Sequence, residues 1–283
     1  RHTRYISVTG VQTCALPICQ LISRELASAE GARGVAVATD ESISVMVNEE
    51  DHLRIQVMRS GLDLDQAWQI TNEVDDRIEQ RVAYAFHEEF GYLTACPTNV
   101  GTGMRASVML HLPALEYTRQ SDQVFRALQK INLEVRGLYG EGSRASGHFY
   151  QISNQVTLGK SEETILREIQ AVIPAVIRYE KEAREAWRQD RSVGLEDRMK
   201  RALETLHGAT MMTSEETMEL LSLVRLGLAL GQLRGLSVPL LNELFIQTQP
   251  AHLQKLAGES LDSERRNIAR AVHLRRKLGT AEA

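Results

Sequence analysis

The sequence is poor in cysteine, has no long apolar run and carries no excess of either charge. Three cysteines in 283 residues, Cys14, Cys19 and Cys96, make no disulfide framework, so a reducing, cytoplasmic setting is expected. No apolar stretch approaches the roughly 20 residues that a membrane helix needs, which excludes a helical bilayer span. Basic residues number 33 against 37 acidic ones, for a net charge of −4. That balance does not suggest direct contact with nucleic acid. Internal repeats and low-complexity tracts are also missing. What remains is a chain that is 43% hydrophobic and 25% charged, of globular composition, long enough for one large domain or two ordinary ones.

Residues 1–19, RHTRYISVTGVQTCALPIC, differ in texture from the rest of the chain. They lack an initiator Met and any acidic residue, and they hold Cys14 and Cys19. Thr9, Gly10, Gln12 and Thr13 interrupt the apolar part, which makes a poor secretory leader. The string resembles translated sequencing-adapter read-through, and the native chain is expected to start near Gln20.

From Val35 to Val57 hydrophobicity alternates with period two. Val35 and Val37 precede a turn at Asp40-Glu41, Ile43, Val45 and Val47 come after it, and Leu53, Ile55 and Val57 resume after Asn48–Glu50. The opposite face carries Glu50, His52, Arg54 and Gln56. Asp63 reads as the N-cap of a helix with Trp68, Ile70, Val74, Ile78 and Val82 on one face. A loop rich in Gly, Thr, Pro and Asn fills 91–103, and strands are expected over 105–112, 133–139 and 148–157. Beyond Lys160 the period becomes 3.6. Ser161 with Glu162 and Glu163 starts a helix running towards Trp187, and shorter helices come next, separated by Gly208, Gly235 and Pro250. Strands succeeded by helices predict an α+β fold. An antiparallel sheet flanked by helices is expected over 20–188, and an all-α C-terminal domain over 189–283.

Four clusters carry chemistry. In Asn48-Glu49-Glu50-Asp51-His52-Leu53-Arg54, three consecutive carboxylates are ordinarily a solvated turn. The alternation nevertheless puts Glu50, His52 and Arg54 on one face, aiming a carboxylate and a guanidinium together. In the run from Gly91 to Arg105, Gly101 and Gly103 flank Thr102 just before Arg105, a pattern suited to presenting backbone N–H groups and a cation to an anion. Cys96 there is either a small buried hydrophobe or a reactive thiol. Arg136-Gly137-Leu138-Tyr139-Gly140-Glu141-Gly142 alone would be a Gly-rich strand end, and Gln151–Gly159 (QISNQVTLG) a buried strand with a turn.

Together, in this order and spacing, the four clusters resemble the catalytic domain of the phosphagen (guanidino) kinases over roughly Gln20–Tyr179. Kinases of free guanidino compounds end soon after the helix that comes after the fourth cluster. The helical continuation here is more similar to the bacterial branch that phosphorylates arginine in proteins. The resemblance implies ATP and Mg²⁺ as cosubstrate and cofactor, with no metal ligands of the protein's own. It implies phosphate contacts from Arg54, Arg105 and Arg136, and nucleotide-binding stretches at Arg105–Met109, with Ala106, Ser107 and Val108 between, and at Arg136–Glu141, with Gly137, Leu138, Tyr139 and Gly140 between. Arginine suits this because its planar fork binds phosphate oxygens and keeps its charge. An acceptor guanidinium has a pKa above ~12 and is a poor nucleophile until a carboxylate holds and deprotonates it. Glu50 and Glu141 match that clamp, with Glu141 expected as the base, and Cys96 matches a thiolate that orients the guanidinium. The family's Ser-x-Arg-x-Arg element, which supplies two further arginines, is absent, and Gln20 stands where a His often precedes Leu21–Ser23. The chain is therefore expected to be nearly inactive.

In the C-terminal part, Arg266-Asn267-Ile268-Ala269-Arg270-Ala271 resembles a phosphoarginine-binding Arg-Asp-x-x-Arg-Ala motif, with Asn267 in place of the acid. Arg266 and Arg270 stand at i and i+4 and would make a phosphate fork. The competing reading is a basic, solvated helix end, since Arg265, Arg275, Arg276 and Lys277 lie nearby. The family role implied is marking proteins, a heat-shock repressor among them, for a Clp ATPase and protease. A zinc-binding activator protein and self-association into a homo-oligomer are implied as well. Two alternatives stay open: a kinase of a free guanidino compound, and a phosphoarginine-binding module with an inactive kinase half.

Overall fold

The computed structural model describes residues 4–5, 22–23, 26, 31–137, 146–189 and 194–279. Of the segment set apart at the start of the sequence, only Arg4–Tyr5 lies among them. These two residues form β1, which pairs with β2 (Gly34–Val37) in a four-stranded antiparallel sheet completed by β3 (Ile43–Val47) and β4 (Leu53–Val57).

The register sets Val35 opposite Met46 and Val37 opposite Ser44. Directly opposed residues share a face, and this one is buried in a core with Ile22 and Leu26. The alternation in the sequence predicts Ile43, Val45 and Val47 as the inward set. They lie instead on the less covered face with Leu53, Ile55 and Val57, and Val47 is 39% exposed. Both faces of this sheet carry apolar residues, so one strand's alternation does not decide which face is better covered. Helix α1 (Leu64–Glu79) packs beside β4, with Trp68, Ile70, Val74 and Ile78 half-buried. Val82 lies past its end and is exposed. Asp63 does occupy the N-cap, but its side chain makes no capping hydrogen bond.

The expected single sheet is three small ones among the described residues. A hairpin of β5 (Phe86–His87) and β6 (Gly91–Tyr92) comes after α1, and β7 (Ser107–His111), β8 (Leu133–Gly137) and β9 (Phe149–Asn154) form a sheet in the order β7-β9-β8. Helices α2 (Pro113–Tyr117) and α3 (Ser121–Gln129) connect β7 to β8. Then come α4 (Glu162–Gln189), α5 (Leu195–Gly208), α6 (Ser214–Ala229), α7 (Val238–Gln247), α8 (Pro250–Ala257) and α9 (Ser263–Gly279). The stop and start signals are local: Ser161 accepts from the amide of Thr164, Thr213 from Glu216 and Ser237 from Leu240. No helix among the described residues is long and apolar enough to cross a membrane.

The chain forms two compact units. One unit comprises Arg1–Val108, Asn132–Glu134 and Ser153–Pro174, the other Met109–Ile131, Val135–Ile152 and Ala175–Ala283. The second half of α4 belongs with the helical unit because of what it satisfies there. The Glu180 carboxylate accepts the amides of Ala114 and Leu115 at 3.1 and 3.0 Å and the Arg184 guanidinium at 2.6 Å. Those amides open α2 and have no partners within their own helix. Tyr117 and Trp187 stack beside this contact with centroids 4.9 Å apart.

The helical unit also buries two histidines on one hydroxyl. Ser222 Oγ lies 2.8 Å from His111 Nε2 and 2.7 Å from His148 Nδ1. Burial, then the cations Arg225 and Arg184, hold His111 well below its ordinary 6.5. Burial also lowers His148, against the opposing charge of Glu116. A depressed imidazole leaves stability intact above the unfolded value near 6.5 and removes it as pH falls towards the folded value, because only the unfolded chain takes up the protons. We expect stability, and the thermal midpoint with it, to hold from about pH 7.5 to 6.5 and to fall below about 6.5, by up to ~1.4 kcal/mol per pH unit for each ring. Melting curves of Glu219→Gln and of Glu219→Gln with His148→Gln across that range check this. His148 Nε2 lies 3.4 Å from Glu219, so that carboxylate is removed from both proteins, and Glu180, pushed up by burial, acts alike in the two. Parallel profiles would remove His148 from the effect.

Candidate active site

The first cluster is the turn between β3 and β4. Asn48 takes φ 55°, and its side-chain amide donates to the Ala32 carbonyl at 2.8 Å. The amide of Asn48 donates to His52 O and that of Glu49 to Asp51 O, which closes a tight five-residue turn. β4 begins only at Leu53, so strand alternation does not extend back to His52 or Glu50, and the shared face expected for Glu50, His52 and Arg54 is not built. All three residues are exposed.

Arg54 pairs instead with Glu49, at 3.2 Å, and the Glu49 side chain is only 3% exposed. Burial pushes the Glu49 carboxyl up. Hydrogen bonds from the Ser23 hydroxyl, the Glu50 amide and the Arg54 guanidinium outweigh it, so Glu49 lies below the usual carboxylate value. A charged Glu49 therefore holds one side of the Arg54 guanidinium and leaves Glu50 out in solvent beside it.

Asp51 joins this turn to the second cluster. Its Oδ1 accepts the Ala95 amide at 2.6 Å, immediately before Cys96. Cys96 caps a short 3₁₀ turn at Pro97–Asn99, with its Sγ 3.0 Å from the Thr98 hydroxyl. Either atom of that contact can be the donor.

The loop is closed by the fourth cluster. Thr157 donates its hydroxyl to Thr98 O and Val100 O at 3.0 and 2.8 Å, and its carbonyl accepts the Thr102 amide. Asn154 donates to Met104 O and Val156 O, and its Oδ1 accepts the Ala106 amide at 2.8 Å. Loop amides expected to face an anion are thus spent internally: Gly101 on Tyr92 O, Thr102 on Thr157 O and Met104 on the Thr102 hydroxyl. The chain turns back on itself too tightly here to spare them.

Gly101 shows how tight. At φ 112° it sits where side chains are disfavoured, and a Cβ would stand 2.5 Å from Thr157 O. We expect Gly101→Ala to cost about 2 kcal/mol or more through backbone strain and this clash, and to loosen Cys96. A faster reaction of Cys96 with a maleimide reagent, alongside a lower thermal midpoint, is the readout.

Arg105 comes directly after the loop and faces Glu134 at 3.9 Å. Beyond it Ala106 and Val108 are buried, while Ser107 and Met109 are half-buried on β7. Arg136 lies half-buried on β8, and Gly137 is buried at its end. Leu138, Tyr139, Gly140 and Glu141 lie outside the described residues. The structure therefore gathers Glu50, Arg54, Cys96, Arg105 and Ala106 in one unit, tied by residues the motif reading does not single out: Glu49, Asp51, Asn154 and Thr157. Buried polar residues inside an apolar strand motif are the signal that could have found the last two, since both are almost fully covered. No group of three or more His, Cys, Asp or Glu among the described residues could hold a metal ion.

On α9 the expected arginine fork is not what folds. Arg270 is 1% exposed; its Nε donates to Thr248 O, and its Nη1 to Met212 O and Asn267 Oδ1, each at 2.7 Å. Thr248 is the C-cap of α7, a helix end whose carbonyls need outside donors, which is the physical reason Arg270 turns inward. Burial, with Arg266 nearby, lowers Arg270 to about 10, still charged at neutral pH. Arg266 is half-buried and donates to Leu261 O at 2.8 Å, Asn267 serves Arg270, and Ala271 is buried.

Two family models match successive parts of the chain. Residues 7–183 match the ATP:guanido phosphotransferase C-terminal catalytic domain, and residues 192–283 match the protein-arginine kinase McsB C-terminal domain. The chain belongs to the guanidino kinases. It is 51% identical over 258 residues to the protein-arginine kinase of Symbiobacterium thermophilum, covering 91% of this chain and 73% of that one. The protein-arginine kinase of Bacillus subtilis is 50% identical over 245 residues, covering 87% and 68%. Among solved structures, lombricine kinase superposes with a TM-score of 0.55 at 26% identity, over 63% of this chain and 54% of that one. A duplicated taurocyamine kinase of Schistosoma mansoni, at 20% identity and TM-score 0.55, shares the fold over 86% of this chain and 33% of that one. The fold is that of the family: an α+β catalytic part with small sheets, and helices after it.

Proposed function

We propose that this protein transfers the γ-phosphoryl group of ATP to arginine side chains in proteins. One observation carries the reading: a guanidino-kinase segment and a protein-arginine-kinase C-terminal segment occur in tandem in one chain. The same tandem argues against a kinase of a free guanidino compound.

Phosphoryl transfer asks the protein for position and charge and for little covalent work. Arg54, steadied by Glu49, and Arg105 and Arg136 hold phosphate oxygens in this proposal, with the Arg105–Met109 and Arg136–Glu141 stretches around the nucleotide. Glu50 stands exposed beside Arg54 and grips the incoming guanidinium. Glu141 takes its proton as the attacking nitrogen bonds to phosphorus and the bond to the ADP oxygen breaks. Cys96, held against the Thr98 hydroxyl, orients the guanidinium. Mg²⁺ belongs to the proposal as the ion of the nucleotide, held by phosphate oxygens and water, as is usual in kinase sites, so it needs no cage of protein ligands.

We extend the proposal to a cytoplasmic role in which arginine phosphorylation marks proteins, including a heat-shock repressor, for a Clp protease. A zinc-binding activator and self-association belong to the same role, as does phosphoarginine binding around Arg266 with Arg270 as scaffold. Incubating the chain with ATP and either a denatured protein or free arginine, with mass spectrometry for phosphoarginine as the readout, tests the activity. Weak phosphorylation of the protein, in preference to free arginine, is expected. Transfer to free arginine alone would favour the small-molecule kinase. Phosphoarginine binding without turnover would favour the binding module.

A further inference from the structure

We infer that the cleft between the β5–β6 hairpin and the start of α4 is a docking site for the polypeptide that carries the target arginine, specifically for an extended segment with an apolar side chain next to a basic one. This rests on the kinase reading above and names how its substrate is held away from the reacting group. The cleft has a volume of about 340 Å³ and is lined by Phe86, Phe90, Tyr92 and Leu158, with Glu89 and Glu162 among them.

Its apolar side is unusually open. Phe86 is 59% exposed, Phe90 44% and Leu158 48%. Clustered exposure of large apolar side chains marks interaction surfaces more often than scattered exposure does. The rings are also braced in advance: Phe86 meets Tyr92 edge-on at 5.3 Å, Tyr84 meets Tyr92 at 5.9 Å, and Phe90 stacks on His87 at 4.9 Å. A preformed wall loses little entropy when something binds it.

The charge around it chooses the partner. Glu89 and Glu162 line the cleft, and neither is ion-paired to another described residue. Lys160, also lining it, is held by Glu168 at 2.6 Å. Burial, then the carboxylates of Glu79, Asp75, Glu162 and Asp76, raise the Tyr92 phenol, so the negative field reaches the floor. An apolar slot under negative potential repels phosphate and acidic chains and suits apolar-basic polypeptide. Gly101 and Thr102 line the same cleft and form the closing end of the loop that begins at Cys96. A segment seated there runs close to the proposed guanidinium site, which suits an enzyme whose acceptor is a side chain on a longer chain.

The test uses the whole chain and a fluorescein-labelled, unstructured peptide with one central arginine flanked by Leu, Phe and Lys. Fluorescence anisotropy gives its Kd without requiring turnover. Phe86→Ser combined with Phe90→Ser should weaken the Kd about tenfold or more. Charge reversal by Glu89→Lys with Glu162→Lys should weaken it too, most at low salt. Replacing the peptide's Leu and Phe by Ser should remove the difference between wild type and the Phe variant. Phosphorylation of N-acetylarginine amide should stay unchanged in both variants. Equal peptide Kd in wild type and both variants would overturn the docking site while leaving the kinase reading intact. So would a loss of self-association in sedimentation with unchanged peptide Kd, which would give the cleft to a second copy of the chain. Peptide binding in the expected pattern with no phosphoryl transfer to any arginine would support the surface and sink the kinase reading instead.

Discussion

Replacing Glu141 by Gln is expected to lower turnover by about 10²- to 10⁴-fold while ATP affinity changes less than about twofold. The amide keeps the shape of the carboxylate but cannot accept a proton, and a guanidinium left protonated has no lone pair with which to attack phosphorus. Nucleotide contacts in the proposed site come from arginines, so they survive the change. Calorimetric Kd for ATP and kcat on an arginine protein, measured on the same preparation, decide it. A large loss of ATP affinity with a modest loss of kcat would assign Glu141 to the nucleotide. Glu49→Gln makes the contrast, because Glu49 works through Arg54 at 3.2 Å and not on the acceptor. Its effect should fall mainly on KM for ATP, as expected for a residue that positions a phosphate ligand.

Much of this site is legible in the sequence because its logic is local. The strand positions, the Cys96 loop and the helix start at Ser161 all derive from period, turn residues and caps within a few positions. The family resemblance rests on four short strings and needs no tertiary contact. The sequence misleads where a residue's partner is remote or where two partners compete. Arg54 could have faced Glu50 or Glu49, and only the tight turn that buries Glu49 makes the choice. Asp51 finds the Ala95 amide 44 residues away, and Thr157 finds Val100 across 57. Glu180 capping α2 and Ser222 joining two histidines are likewise invisible to periodicity, because each replaces a local partner with a distant one. The faces of β3 mislead for a different reason: Ser44 is small and polar, yet it lies opposite Val37 in the covered layer.

Arg270→Ala should destabilise the helical unit by about 3–5 kcal/mol, whereas Arg266→Ala should cost no more than ~1 kcal/mol. The sequence makes the two look equivalent, since both sit at i and i+4 of one helix. Their surroundings differ. Arg270 is buried and its guanidinium is the donor for Thr248 O and Met212 O, so its removal strands two main-chain carbonyls and opens a cavity the size of a long side chain. The damage spreads because α9 holds the connection before α6 at several points: Asn267 O accepts the Met212 amide, and Arg275 donates to Ala209 O. Arg266 makes one main-chain contact from a half-buried position and can be replaced there by water. Arg270→Lys should recover little, because an ammonium cannot span carbonyls that a planar fork reaches together. Asn267→Asp should stabilise by about 1 kcal/mol, turning a neutral acceptor for Arg270 into a charged one. Thermal melts of the full chain rank the four variants. The ranking matters for regulation as well: a loss of phosphoarginine binding in Arg270→Ala would result from unfolding, so only Arg266→Ala, with its melt unchanged, reports on ligand contact. Equal midpoints for Arg270→Ala and wild type would mean that the inward guanidinium does not support the fold.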